Sequence, residues 1–315
     1  MKKIDEITKW LLQGDVSIAY QTKRDILKAS YKEVKQLQNN IEISGWGKRF
    51  LDKQRPDGHW GNGYYQPKWI CTHYTLFDLK SLGINPNNKQ CQLAIDLILG
   101  CKKGIDGGIN YAKTVRYSDI CINGMILNMA SYFNPNHERI PEIINYILDN
   151  KMETGGWNCA SYNGAVHGSL HTTISILEGL VEHTRSGVKY RRGEVIDAIK
   201  KGIEFILLHR LYKSDHTNEV IDLKMIKLVY PFRWKYDILR ALDLFQVMKI
   251  DYDERMNDAL EIIIAKQKKD GKWPMQSGYP GKIHFEMEKP GEASRWNTLR
   301  SMRVLNHFNK FSNCF

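Results

Sequence analysis

The sequence predicts an all-α protein, a closed double ring of about six helical hairpins around a central cavity. Three observations predict it. Gly-rich turns with an aromatic partner recur at near-regular spacing. Two kinds of helical pattern alternate between those turns, one amphipathic and one apolar over most of its circumference. No segment of useful length shows the period-two alternation of a strand.

The turns are Gln54-Arg-Pro-Asp57-Gly58-His-Trp60-Gly61, Asp106-Gly107-Gly108, Thr154-Gly155-Gly156-Trp157 and Gln267-Lys-Lys-Asp270-Gly271-Lys-Trp273. Gly58, Gly107 and Gly156 are 49 residues apart, and Gly271 follows 115 later, room for two longer units with a degenerate turn near Lys213-Ser-Asp215. The chain opens with an outer helix over 3–13 and an inner one from about 16, which carries Tyr20 and Arg24. Outer helices follow at 88–103, 139–152, 191–211 and 251–269, with apolar residues three and four apart, as in Ile140, Ile143, Ile144 and Ile147. Pro141 fits a first turn. The more apolar inner helices are expected at 69–83, 117–133, 168–183, 230–247 and 295–308, with Ser294 as the last N-cap. Inner helices this apolar favour a closed ring, because an open concave face would leave them wet. Their N-termini then surround one mouth of the cavity, a setting that favours anions.

The 315 residues read as a single domain, 1–315, long enough for a substantial core. A formal charge of +11 favours anionic partners. The bases are scattered and form no nucleic-acid motif, so a small anionic or apolar molecule is the expected ligand rather than DNA or RNA. The six cysteines make no CxxC pair or compact disulfide framework. MKKIDEITKW is no signal peptide, and no run is long and apolar enough to span a membrane. These features point to a cytoplasmic protein with reduced thiols.

The chemistry-bearing stretch is Lys113-Thr-Val-Arg116-Tyr-Ser-Asp119-Ile-Cys121, read with His167-Gly-Ser-Leu-His171. Asp, Cys and His are zinc ligands, and two neighbouring cations hold phosphate. Asp119 and Cys121 lie two apart, about 200° around a helix, so they converge only if the helix begins after Asp119. Singly, Asp119 reads as helix-start electrostatics and Cys121 as a small buried hydrophobe. Cys159 is a further metal ligand that would close the site, and His167 is another candidate. Arg233, Trp234 and Tyr236 begin the fifth inner helix, and Arg295 and Trp296 the sixth, so a closed ring turns them toward the same mouth as substrate-binding residues.

The Gln-x-x-Asp-Gly-x-Trp turns, best seen from Gln54 to Trp60 and from Gln267 to Trp273, resemble the QW-type repeats of squalene cyclases and the matching turns of protein prenyltransferase β-subunits. The resemblance covers nearly the whole chain and implies the α6/α6 toroid of the terpenoid cyclase and protein prenyltransferase superfamily, in a bacterial branch. The acid motif of the class II cyclases, Asp-x-Asp-Asp, is absent; the nearest string is Asp251-Tyr-Asp253-Glu254. The site pattern is most similar to the prenyltransferases. By that resemblance Asp119, Cys121 and His171 hold zinc and are the catalytic set. Lys113 and Arg116 hold an isoprenoid diphosphate, with the order of the two bases exchanged relative to the family. An α-subunit-like partner is not inferable from this chain. Rival readings accompany this one: a non-catalytic toroid that binds an isoprenoid or other apolar ligand, a terpenoid-cyclase-like protein lacking the Asp-x-Asp-Asp acid, and, last, a carbohydrate-active barrel. The barrel needs paired carboxylates, for which Glu178, Asp237, Glu286 and Glu288 are the loose candidates.

Overall fold

The computed structural model describes residues 2–112 and 114–310, with side chains from residue 5. Among them the regular elements are helices, and β pairing is limited to three isolated bridges. The helices are α1 (Lys2–Leu12), α2 (Val16–Gln21), α3 (Tyr31–Asn40), α4 (Gly45–Leu51), α5 (Thr72–Leu82), α6 (Lys89–Leu99), α7 (Ile120–Phe133), α8 (Ile140–Asp149), α9 (Leu170–Arg185), α10 (Arg192–Leu208), α11 (Ile238–Val247), α12 (Asn257–Ala265) and α13 (Arg295–His307). The first unit is more elaborate than the periodicity suggests. Ser30 and Glu33 form a capping box that starts α3. Asp15 caps α2 through the Ser17 N–H at 2.9 Å and also takes the Trp46 N–H of α4 at 2.7 Å.

The inner helices pack in sequence, α5 on α7, α7 on α9 and α11 on α13, and α13 packs back against α2. Burial separates inner from outer: twelve of the fourteen residues of α7 are buried, whereas α8 buries one stripe, Ile140, Ile143, Ile144, Tyr146 and Ile147. α7 and α9 pack backbone to backbone. A Cβ on Gly179 would sit 2.4 Å from the Gly124 carbonyl.

The repeated turns are built from the same hydrogen bonds. Each Trp indole donates to a carbonyl ten residues back, at the end of the preceding outer helix: Trp60 to Phe50 at 2.7 Å, Trp157 to Ile147 at 2.8 Å, Trp273 to Ile263 at 2.7 Å. Each Trp backbone N–H donates to a threonine of the following inner helix: Thr72, Thr173 and Thr298. In the second turn Ile109 replaces the Trp and Asn123 replaces the Thr. The left-handed residue two before these positions is Gly58, Gly107, Gly155 and Gly271. The third unit is therefore in register at Gly155 rather than Gly156.

Four inner helices begin later than their apolar runs, α5 at Thr72, α7 at Ile120, α9 at Leu170 and α11 at Ile238, whereas α2 and α13 begin where expected. The largest correction is at 230–237, which is a loop, not helix. Pro231 lacks an N–H, and the Asp237 carboxylate accepts the Arg240 N–H at 2.8 Å to start α11 only there. The loop drives Phe232 and Arg233 into the ring. Arg233 ion-pairs with Asp78 of α5, and Arg240 and Arg300 lie 4.3 and 5.2 Å from the Phe232 ring centre. Arg303 joins Asp25 to Asp243 at 2.7 Å each, and Arg240 chelates Glu178. The ring axis is thus a charged hub with a cavity of about 170 Å³, not the wide apolar chamber expected.

Candidate functional site

Asp119 is the N-cap residue of α7 in extended backbone, and Cys121 lies in the first turn, so the helix does begin after Asp119. The Asp119 side chain makes no capping bond and is exposed. Its pKa is raised by partial burial, which the nearby Lys68 opposes. Cys121 meets Cys159: its backbone N–H donates to the Cys159 Sγ at 3.3 Å, and the Thr172 hydroxyl donates to the same sulfur at 3.5 Å. Hydrogen bonding to Cys121 lowers the Cys159 pKa, and the same contact, with burial, pushes Cys121 well up.

His171 stands in the first turn of α9 but belongs to the other side of that helix. Its Nδ1 accepts the Tyr236 N–H at 2.8 Å, and its ring meets Trp234 edge-on at 5.4 Å. Burial first, then Lys235 and Arg240, holds it down to about 4, so it is neutral at pH 7. The expected ligand set is therefore split. Cys121 and Cys159 meet on the α7 side, while His171 is engaged toward α11. Among the described residues, the group close enough to share a metal is a different one, His167, His209 and Asp215.

The expected substrate-binding residues scatter as well. Lys113 lies outside the described residues. Arg116 is exposed, and its carbonyl takes the Ile105 N–H at 3.1 Å. Arg233 is committed to Asp78. Trp234 is covered by Lys235, whose Nζ is 3.7 Å from the ring centre, and Tyr236 is buried. Arg295 points outward over the Trp10 ring at 4.4 Å, and Trp296 stacks on Tyr230 at 4.4 Å. Helix-start position alone does not aim a side chain at the mouth: Arg295 and Trp296 already lie in the first turn of α13, where successive side chains point about 100° apart, and Arg233 has left-handed backbone in the loop ahead of α11.

Sequence reasoning missed the segment that covers the mouth. Residues 274–294 cross from the last turn to α13 without helix and reach the start of α5. The Trp69 and Lys68 backbones pair with Lys282, the Trp69 indole donates to the Pro280 carbonyl at 2.9 Å, and His284 Nε2 bonds Thr75 at 2.8 Å. Glu288 ends the crossing at the α13 N-terminus, bonded to Ser294 and to the Arg295 N–H at 2.6 Å. A signal was available: Gly278, Pro280, Gly281, Pro290 and Gly291 in one stretch mark a long loop, and long loops carry function.

Beneath this segment lies a cavity of about 380 Å³, walled by Phe50, Trp69, Tyr230, Tyr279, Phe285 and Met287, with Arg233, His284, Glu286 and Glu288 as polar groups. Burial first, then Lys53 and Arg233, pulls His284 down to about 4, so the cavity holds a neutral imidazole at pH 7. A second cavity, about 850 Å³, opens beside the α9 N-terminus along Leu170, His171, Ile221 and Met225. Three of the four carboxylates of the carbohydrate reading are already engaged, Glu178 with Arg240, Asp237 as a cap and Glu288 at α13, while Glu286 lines the cavity beneath residues 274–294.

No protein-family model matches the chain, and no curated protein matches it. Among solved structures it is similar to a polysaccharide lyase, at 14% identity over 96% of this chain and 91% of that one, with a TM-score of 0.52. It is also similar to the type II terpene cyclase MstE from Scytonema in complex with geranylgeranyl dihydroxybenzoate, at 14% identity over 96% and 88% with a TM-score of 0.46. A protein from Actinoplanes gives 11% over 93% and 89% with 0.47. The lyase likeness establishes the fold and nothing of the chemistry, and the other two are weaker. The all-helical ring seen here agrees with the architecture that the Gln-to-Trp turns implied. No helix among the described residues is long and apolar enough to cross a membrane.

Proposed function

We propose that the protein binds a small molecule with an apolar, isoprenoid-like body and an anionic end in the cavity beneath residues 274–294. The observation that carries this reading is the aromatic wall of Phe50, Trp69, Tyr230, Tyr279 and Phe285 around about 380 Å³, within the range of small-molecule pockets. Lys53 nearby and the Arg49 guanidinium 3.8 Å over the Phe285 ring supply positive charge for an anionic end, while Arg233 stays paired with Asp78 and Glu288 with the α13 N-terminus. Free thiols at Cys121 and Cys159 suit a cytoplasmic setting. Asp119, Cys121, Cys159 and His171 do not bring three ligand atoms within 4.8 Å of one another, and no transfer step is routed through a metal there.

The test is titration of the full chain with farnesyl diphosphate, geranylgeranyl diphosphate and geranylgeraniol, followed by calorimetry and tryptophan fluorescence. Saturable one-to-one binding is expected, tighter for the diphosphates than for the alcohol. Tyr279→Ala and Phe285→Ala should each weaken it about tenfold, roughly 1.4 kcal/mol. Absence of saturable binding for all three ligands, or binding indifferent to both substitutions, overturns the reading.

A further inference from the structure

His167, His209 and Asp215 come from three separate elements: the loop ahead of α9, the C-terminal cap of α10, and a turn closed by the bridge between Lys213 and Val220. The Nε2 atoms of His167 and His209 are 3.2 Å apart, and the Asp215 Oδ1 lies 3.7 Å from the first and 3.4 Å from the second. A tetrahedral zinc with bonds of about 2.0–2.1 Å has ligands about 3.3 Å apart, so these three atoms already mark one face of such a tetrahedron. The orientation of His209 is set from behind. Its ring is buried, and Nδ1 donates to the Phe205 carbonyl at 2.8 Å. That bond leaves the Nε2 lone pair facing the cluster, the arrangement that carbonyl-backed histidines adopt toward metals. The Asn158 side chain donates to the His167 carbonyl at 2.8 Å and holds the loop in place.

We propose that His167, His209 and Asp215 bind one divalent cation of the zinc class. Two imidazoles and one carboxylate suit zinc, cobalt or nickel and not calcium or magnesium, which take oxygen ligands. All three residues line the 850 Å³ cavity, so the fourth position opens onto it and takes water or an anionic oxygen of a ligand. His216, with Nε2 3.8 Å from the same Asp215 oxygen, is largely exposed and stands outside the set. The site is independent of the cavity under residues 274–294.

The experiment uses the full chain, stripped with chelator and titrated with zinc and then with cobalt. One equivalent should bind, and cobalt should give the visible bands of a four-coordinate N/O site without a thiolate charge-transfer band. Because His209 is buried, the informative variants are His167→Gln and Asp215→Asn, checked against the parent by near-ultraviolet circular dichroism. Each should lower zinc affinity at least about tenfold, whereas Cys121→Ala and His216→Ala retain one equivalent. The proposal is overturned if no zinc binds or if both variants bind like the parent. A charge-transfer band lost in Cys121→Ala, which would put the metal on the thiols, also overturns it.

Discussion

Cys159 carries the thiolate character of its pair, although the helix-start pattern singles out Cys121. The Cys159 sulfur accepts from the Cys121 backbone and from Thr172, while Cys121 keeps its proton through the hydrogen bond to Cys159 and through burial. Iodoacetamide at pH 8 should therefore label Cys159 several-fold faster than Cys121, and Thr172→Val should narrow the gap; peptide mass spectrometry reads both. His73 makes a second residue-scale prediction. It is fully buried, bonded through Nδ1 to the Tyr111 hydroxyl at 3.1 Å, and held down to about 3 by burial and then Lys68. Its folded pKa is depressed, so the unfolded chain binds its proton first. The stability it contributes is full above about pH 6.5 and is lost as pH falls toward 3, at no more than about 1.4 kcal/mol per pH unit. His73→Gln should lose less stability between pH 6 and 4 than the parent, by roughly 1–3 kcal/mol, in urea unfolding at each pH. That His73 is a buried histidine with one hydrogen bond was legible in the sequence; which way each of these side chains turns was not.

At the scale of the element, the Trp turn is a joint between an outer and an inner helix. Trp273 satisfies an Ile263 carbonyl at the end of α12, and Thr298 of α13 satisfies the Trp273 N–H. Thr298→Val leaves that buried N–H without its partner and should cost about 1–3 kcal/mol, read from the urea midpoint. The turn glycines differ in a testable way. A Cβ at Gly107 meets nothing within 4 Å, whereas one at Gly155 lies 3.0 Å from the Lys201 carbonyl. Both have positive φ, at 88° and 94°. Gly107→Ala should cost about 1–2 kcal/mol for left-handed backbone alone, and Gly155→Ala more. These joints were visible as a repeat because a turn chemistry must be spelled locally. The crossing segment at 274–294 was not, since its partners, Lys68, Trp69 and Thr75, lie some two hundred residues away.

Across the whole molecule, closure depends on the charged hub. Asp243 is shared by Arg300 at 3.3 Å and Arg303 at 2.7 Å, and Arg303 continues to Asp25 beyond α2. Removing one partner of a buried ion network leaves the others unpaired, so Asp243→Asn should destabilise by about 3–5 kcal/mol. A closed ring couples its first and last helices. The full chain should therefore unfold in one transition, coincident by near- and far-ultraviolet circular dichroism, as the reading of residues 1–315 as one domain requires. An open stack would melt from its ends.

The sequence by itself determined the all-helical class, the alternation of outer and inner helices and the joints between them, because periodicity and turn chemistry act within a few residues. It also placed Asp119 at the start of α7, where the structure finds it. Only the tertiary structure decided what fills the ring and which groups meet. Phe232, Arg233 and the Asp243 network occupy the axis that apolar inner helices suggested was open. His171 pairs with Tyr236 and not with Cys121, while His167 finds His209 and Asp215. Those outcomes turn on the direction of single side chains at helix ends. One residue of extension or one hydrogen bond reverses that direction, and a composition or spacing rule carries no information about it.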